Sequence, residues 1–345
     1  MKRYLYNYQT ILRFSSPVSR HFFRLRCVPC ENSCQQLHKQ ALFVHPSDGV
    51  THETDTWGNP IQYGNRIDPH DSFVFVSIGE ADLSPYQLPD KEPTPLFLLP
   101  SKLTTATDSM VEIAQAFTQK SALSQACALS TWVYQHMHYQ PGSTQSSTTA
   151  AEALAQGKGV CQDYAHILLA LCRTAHIPAR YVNGFMEGEG ATHAWVEVYD
   201  QSAWWGIDPT NNRQIEWGYI KLSHGRDAED CPVNRGVFTG TATQTAEIKN
   251  DEIVTVNNYV FDNDLTSKEQ YLLALGVALF WYRKQLDDVT QFRLHLSNKD
   301  FKAHSEQQNL QRRLERLGAM EEDFSEEVQK YQLSNLDKLP FFGGA

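Results

Sequence analysis

The chain has 345 residues and a formal net charge of −10, with 41% hydrophobic and 20% charged residues. This composition is typical of a soluble globular protein, and its acidity gives no electrostatic attraction to nucleic acid or to an anionic membrane. No apolar run approaches the ~20 residues that span a bilayer, and the N-terminal stretch lacks the apolar segment of a secretory leader. We therefore expect a cytoplasmic protein of two or three domains, with neither nucleic acid nor membrane as a partner.

Residues 1–95 are predicted to form an antiparallel β-sandwich. Extended runs rich in aromatic and β-branched residues, such as 4–14, 21–26 and 73–78, alternate with clusters of turn-forming residues. Pro17 predicts a turn between the first two of these strands. The proline-rich segment 86–100 favours an extended linker over a regular element.

Three cysteines in this region are spaced like part of a metal site. Cys27, Cys30 and Cys34 could supply three ligands to zinc or to an iron–sulfur centre, with His38 as one candidate for the fourth. No second cysteine pair completes the set, so we interpret them as ordinary loop cysteines and expect no metal and no cofactor. The odd total of seven cysteines also argues against a disulfide framework.

Residues 100–245 are predicted to form an α+β domain organised around Cys161. Helical periodicity over 108–117 and 124–138 precedes a glycine-containing loop, Cys161 and an apolar run at 167–171. This pattern predicts a loop that opens a buried helix at Cys161. A thiol there faces unpaired N–H groups and the positive end of the helix dipole, both of which favour the nucleophilic thiolate. The alternative is a packed structural cysteine.

A β-hairpin is predicted from two alternating runs, 192–199 and 204–210, joined at Asp200 to Ser202. If its centre falls between Asp200 and Gln201, His193 lies directly opposite Asp208, with Cβ atoms ~5 Å apart. The carboxylate would then orient the imidazole and leave its other nitrogen for the thiol. This is the order of nucleophile, base and orienting group that nucleophilic catalysis uses.

Four blocks together resemble the bacterial transglutaminase-like superfamily in order and spacing: Gly159–His166, Ile177–Gly184, His193–Val198 and Asp208–Thr210. The N-terminal strands, with Trp57-Gly58-Asn59, resemble the β-rich domain that precedes this core in many bacterial members. The resemblance implies a papain-like α+β core.

The same resemblance assigns a role to each residue of the site. It makes Cys161 the nucleophile, His193 the base and Asp208 the orienting residue. The Cys161 backbone N–H is the natural first oxyanion donor. Gln162 and Tyr139 are candidates for a second donor or for lining the site.

Three functions are compatible with these residues. The favoured one is a thiol-dependent amide hydrolase, a cysteine peptidase acting through an acyl-thioester on a peptide or protein amide. The second is a protein-glutamine acyltransferase, a transglutaminase that passes the acyl group to an amine. The third is an inactive protein-binding scaffold. No calcium-binding loop is recognisable, so activity is expected to survive a chelator.

Residues 262–345 are predicted to form a helical extension. Apolar residues recur at helical spacing from Tyr271 to Tyr282, and Leu310, Leu314 and Leu317 repeat in a second helix that ends near Gly318. These helices would pack on the core or offer a surface to a partner.

Overall fold

The computed structural model describes residues 1–90, 93–188, 191–250, 254–256, 266–268, 271–272, 275–276, 279 and 304–334. Two compact units divide the chain, residues 1–257 and residues 258–345. The first unit confirms the predicted α+β class, with a strand-rich N-terminal region and an antiparallel sheet packed against helices. Among the described residues, no helix combines the length and the apolar character that crossing a lipid bilayer requires.

The strand-rich region consists of two antiparallel β-sheets, called leaves below, which share their longest strand. The strands from the first part of the chain are β1 (Lys2–Leu25), β2 (Gln35–His45), β3 (Gly49–Thr54), β4 (Pro60–Arg66) and β5 (His70–Leu83). The first part of β1 pairs with β5, which also pairs with β2, and its second part pairs with β4, which also pairs with β3. Because side chains alternate across a strand, the aromatic residues of β1 and β5 collect in one buried cluster.

The prediction of a turn at Pro17 is wrong, because β1 continues through it. The pairing of β1 with β5 shifts between Arg13 and Val18, where the strand passes from one leaf to the other. Proline has no N–H to give to a ladder, so an irregularity of this kind accommodates it better than a regular strand does.

A second layer contains a six-stranded sheet and the helices of the first unit. Its elements in chain order are β6 (Gln87–Pro89), α1 (Asp108–Ala116), α2 (Ala122–His136), β7 (His138–Tyr139), α3 (Ala150–Gln156), β8 (Lys158–Gly159), α4 (Cys161–Thr174), β9 (Ala179–Met186), β10 (Thr192–Asp200), β11 (Ala203–Asp208), β12 (Arg213–Gln214) and β13 (Tyr219–Gly225). The order across the sheet is β12-β11-β10-β9-β13, with β6 beside β11, while β7 and β8 form a separate parallel pair.

The central helix of this layer is α4. Every residue from Asp163 to Arg173 is buried, as expected of a helix that is surrounded by other elements on all sides. The core cluster joins α4 to one face of β10 and β11 and to α1, α2 and α3. The first turn of α4 is therefore held against the sheet by the rest of the helix.

The proline-rich segment is more ordered than the predicted linker. β6 adds an edge strand beside β11, and a 3-10 helix at Pro95–Leu98 buries Phe97. Prolines are tolerated in both places, because an edge strand and the first turn of a helix each contain N–H groups that need no partner in the element.

Two side-chain amides from the strand-rich region cover the edge of the sheet at β13. Gln35 donates Nε2 to the Lys221 carbonyl at 2.9 Å and accepts from the Lys221 N–H at 2.8 Å. Asn59 makes the equivalent pair of bonds with His224, both at 2.8 Å. These amides form the hydrogen bonds that a neighbouring strand would otherwise form with the backbone of β13. They therefore join the two layers at this edge.

The chain returns to the first layer after β13. β14 (Asn234–Thr239), β15 (Gln244–Asn250) and β16 (Val254–Val256) all pair with β1. Part of the segment that the sequence analysis assigned to the catalytic domain, from residue 234 onwards, thus lies in the N-terminal sheet.

The predicted hairpin is formed by β10 and β11, but its turn lies one residue later than expected. Gln201 and Ser202 have φ values of 50° and 62°, so both lie in the left-handed region. Two such residues make the tight turn whose twist matches that of the flanking strands.

The predicted direct pairing of His193 with Asp208 is therefore wrong. Val196 pairs with Ile207, and continuing this register puts His193 two residues away from the position opposite Asp208. A shift of two residues keeps both side chains on the same face of the sheet, whereas a shift of one would have separated them. The two residues are diagonal neighbours, which long side chains can still bridge.

The described residues of the second unit are helical except Thr266, which precedes the first helical position. α5 (His304–Ser334) passes through Gly318, so the predicted helix end at that residue is wrong. A Cβ on Gly318 would meet nothing within 4 Å, which shows that this position faces open space. The earlier predicted helix is helical at each described position from 267 to 279, and Tyr282 lies outside the described residues.

Candidate active site

Cys161 is the first residue of α4, and glycines before it shape the loop. Gly157 has a φ of 64° at the end of α3, a left-handed conformation that favours glycine. A Cβ on Gly159 would lie 2.6 Å from Asp163 Oδ2, so a side chain there would push the loop off the helix. The glycines thus let the chain turn sharply and leave the Cys161 sulfur half-buried at the helix start.

Asp163 fastens this loop to the helix. Its Oδ2 accepts from the Val160 N–H at 2.8 Å and from the Thr144 hydroxyl at 2.7 Å. Burial raises the pKa of the Asp163 carboxyl, and the bonds from Thr144 and Val160 act against that rise. The contact with Thr144 also fixes the polar loop that follows β7 beside Cys161.

His193 and Asp208 approach Cys161 from the sheet. His193 lies near the start of β10 and Asp208 at the end of β11, and both are buried. His193 Nε2 lies 2.9 Å from Asp208 Oδ2. Cys161 is among the groups that raise the pKa of His193, and with Nε2 turned to Asp208, Nδ1 is the ring nitrogen left for the thiol. The structure therefore brings the three predicted residues together despite the shifted register.

The Asp208 carboxylate is surrounded by hydrogen-bond donors. Oδ1 accepts from the backbone N–H groups of Thr210 at 2.9 Å and Asn211 at 3.2 Å. Besides His193, Oδ2 accepts from Asn211 Nδ2 at 2.7 Å and from the Tyr219 hydroxyl at 2.5 Å. Burial alone would raise the pKa of Asp208, but His193 and these donors lower it to about 2. The carboxylate is ionised at neutral pH.

The charge state of His193 follows from the same contacts. Burial by itself would lower the pKa of His193, but hydrogen bonding to Asp208 and Cys161, and attraction to the negative charge on each, raise it to about 10. An imidazole with this pKa holds both protons at pH 7. His193 therefore supplies a positive charge to the site, and a neighbouring positive charge is one of the features by which proteins activate a cysteine nucleophile.

The two candidates for a second oxyanion donor are placed differently. Tyr139 in β7 pairs with Gly159 in β8, two residues before Cys161, so its backbone runs beside the helix start. Gln162 donates its side-chain amide to the Ser146 carbonyl at 3.0 Å. An amide already engaged with the loop is less suited to stabilise an oxyanion than a backbone N–H at the helix start, which has no partner within the helix.

The three N-terminal cysteines contact polar groups of the protein, and Asn32 contacts two of them, Cys30 and Cys34. Cys30 Sγ lies 3.4 Å from the Lys221 carbonyl oxygen, Cys34 Sγ lies 3.3 Å from Asn32 Oδ1, and none of the three forms a disulfide. Within the described ranges, no group of three or more His, Cys, Asp or Glu side chains has the arrangement of a metal site. These thiols belong to the packing between the two layers.

A buried ionic cluster lies on the same face of β10 as His193. Glu197 is fully buried and accepts from Lys221 Nζ at 2.9 Å, from the Tyr86 hydroxyl at 2.5 Å and from Arg180 Nε. Burial would raise the pKa of Glu197, but the charges of Arg180 and Lys221 lower it to about 2. This cluster fixes the strand that carries His193.

Sequence reasoning missed the groups that hold Asp208. Asn211 could have been found, because an Asp followed by backbone and side-chain donors two and three residues later is a common turn arrangement. Tyr219 could not, since it reaches Asp208 only through the placement of β13 in the sheet.

Two parts of the chain match described families. Residues 111–209 match the Transglutaminase-like superfamily, and residues 4–82 match the Bacterial transglutaminase-like N-terminal region. The two matches correspond to the helix-covered layer with the site and to the strand-rich leaves.

Whole-chain comparisons find similar proteins of comparable extent. An uncharacterised protein of Mycobacterium tuberculosis is 29% identical over 292 residues, which cover 73% of this chain and 92% of the relative. One from Mycobacterium leprae is 26% identical over 259 residues, covering 68% and 92%. The solved structure of a candidate cysteine protease from Cytophaga hutchinsonii shares the fold, with a TM-score of 0.62, 24% identity and coverage of 77% of this chain and 92% of that one.

Proposed function

Because the chain belongs to the transglutaminase-like superfamily, we propose that it is a thiol-dependent amide hydrolase, a cysteine peptidase that acts through an acyl-thioester. The observation that carries the proposal is the buried His193 imidazole, which is hydrogen-bonded to Asp208 and whose pKa is raised by both Asp208 and Cys161. An inactive scaffold would not need a charged pair held beside a half-exposed thiol. The candidate cysteine protease from Cytophaga hutchinsonii, which shares this fold, also supports a peptidase function.

The first half of the reaction forms the thioester. The Cys161 thiolate attacks the amide carbonyl, and the carbon–oxygen double bond becomes an oxyanion that the Cys161 backbone N–H can stabilise. His193 gives its Nδ1 proton to the leaving nitrogen as the carbon–nitrogen bond breaks. Asp208 stays ionised and holds the imidazole in place throughout.

The second half clears the thioester with water. Neutral His193 takes a proton from a water molecule, whose oxygen attacks the thioester carbonyl. The carbon–sulfur bond breaks, the carboxylic acid leaves, and the thiolate–imidazolium pair is restored. An amine in place of water would give acyl transfer with the same residues, which is the transglutaminase alternative.

The test is incubation with a glutamine-containing peptide library, with and without a primary amine, followed by mass spectrometry. Peptide cleavage or loss of a side-chain amide to water supports hydrolysis, and an amine adduct supports transfer. Cys161→Ala must lose either activity. Cys127→Ala is the matched control, because Cys127 is also partly buried but lies in α2. Turnover that persists in Cys161→Ala would refute the proposal.

A further inference from the structure

Asp208 has a partner that none of the chemistry above requires. The Tyr219 hydroxyl donates to Asp208 Oδ2 at 2.5 Å, a shorter contact than the 2.9 Å between the same oxygen and His193 Nε2. Tyr219 is 2% exposed, and its ring packs edge-on against Trp195 with centroids 5.3 Å apart. The hydroxyl therefore has a fixed direction, and water does not compete for it.

Arg213 determines which way the hydroxyl proton points. Arg213 Nε donates to the Tyr219 oxygen at 2.9 Å, and its guanidinium lies 5.0 Å from the centre of the Tyr219 ring. Because that oxygen already accepts from Arg213, its own proton is available for Asp208. A cation that donates to a hydroxyl also polarises it and makes it a stronger donor. Arg213 is held in turn by Met186 Sδ, 3.3 Å from Nη2.

We propose that Tyr219, oriented by Arg213, is a positioning residue that holds Asp208 towards His193 and weakens the hold of the carboxylate on the imidazole proton. The inference rests on the proposed function, in which that proton must be released to the leaving group. A carboxylate shared between two donors attracts each of them less than it would attract one alone. Tyr219 would thus keep the imidazolium acidic enough to act as a general acid.

The chain contains a matched control for this bond. Tyr86 also donates a buried hydroxyl at 2.5 Å to a buried carboxylate, that of Glu197, and its ring also packs edge-on against Trp195. Tyr86→Phe and Tyr219→Phe therefore remove the same group from the same hydrophobic cluster. Only Tyr219→Phe acts on the carboxylate that bonds to His193.

The experiment measures the pKa of His193 directly. Protein labelled with ¹⁵N-histidine is titrated by NMR in a Cys161→Ala background, and the His193 resonance is assigned by its loss in His193→Gln. This background removes the bond and charge of Cys161, which help to raise the pKa of His193, and so brings the titration to lower pH. No turnover is needed, so the measurement stands even if the protein proves not to be an amidase.

Tyr219→Phe should raise the pKa of His193 by about half a unit, because one hydrogen bond to the charged form of Asp208 is lost. Arg213→Gln should raise it in the same direction by a smaller amount, and Tyr86→Phe should leave it within about 0.1 unit. Arg213 is exposed, so its variant keeps the test decisive if Tyr219→Phe fails to fold. An unchanged or lowered pKa in Tyr219→Phe, or an equal rise in Tyr86→Phe, would overturn the proposal.

Discussion

Replacing Asp208 by Asn tests whether the carboxylate maintains the reactive form of Cys161. The pKa of His193 rises from 6.5 to about 10 in the folded protein, which corresponds to roughly 5 kcal/mol of preference for the imidazolium. Asp208 and Cys161 together raise the pKa of His193, and their combined effect outweighs the lowering by burial. Assigning about half of it to Asp208 gives about 2 to 3 kcal/mol, or a factor of about 30 to 150 in the ratio of charged to neutral pairs.

Asn has nearly the same shape as Asp but no charge, and its NH2 group cannot accept the hydrogen bonds that the oxygen it replaces accepts. We expect alkylation of Cys161 by iodoacetamide at pH 6 to slow by at least about tenfold in Asp208→Asn, since fewer molecules carry the thiolate–imidazolium pair. Peptide mass spectrometry gives the rate for each cysteine separately. Cys172 provides an internal reference, because burial raises its pKa to about 12.

Asp227→Asn is the control, since Asp227 is also a buried carboxylate but its Oδ1 accepts from the Glu229 N–H at 2.9 Å, whereas His193 bonds to Asp208. It should leave the labelling of Cys161 unchanged. The reasoning fails if Asp208→Asn is labelled as fast as the unmodified protein, or if Cys161 reacts no faster than Cys172 in the unmodified protein.

Three further outcomes are expected. Glu197→Gln should lower the free energy of unfolding by about 3 to 5 kcal/mol, because it leaves two buried cations without their anion. Urea titration measures this change, with Glu112→Gln at an exposed position as the control. A loss below about 1 kcal/mol would contradict the prediction. Because the folded-state pKa of His193 lies above its unfolded value of 6.5, the stability that it contributes is fully present below pH 6.5 and is lost as pH rises towards 10. The urea concentration at the unfolding midpoint should therefore fall over this pH window in the unmodified protein and fall less in His193→Gln. An equal fall in both proteins would refute the assignment. Gln201→Asn and Ser202→Gly should each add about 0.5 to 1 kcal/mol to the free energy of unfolding, since both positions have left-handed backbones. The melting temperature should therefore rise, and an unchanged or lower value would count against that conformation.

The pattern of glycines, apolar residues and alternating strands in the sequence by itself determines the elements that carry the site. Cys161 was predicted at the start of a buried helix, and α4 begins at that residue, because the loop-breaking glycines and the apolar run are local signals. The common face of His193 and Asp208 was also predictable, since alternation along a strand has a period of two. The wrong prediction of a helix end at Gly318 also has a local cause. One glycine destabilises a helix by only about 1 kcal/mol, which is too little to end a long helix.

Only the tertiary structure decided the register and the surroundings of the site. The hairpin register depends on the left-handed conformations of Gln201 and Ser202, which residue identity alone did not indicate. The donors on Asp208 include Tyr219, whose position depends on β13 lying across the sheet from β11. Sequence patterns report on neighbours along the chain, whereas the charge that His193 carries depends on groups that come together only when the sheet is assembled.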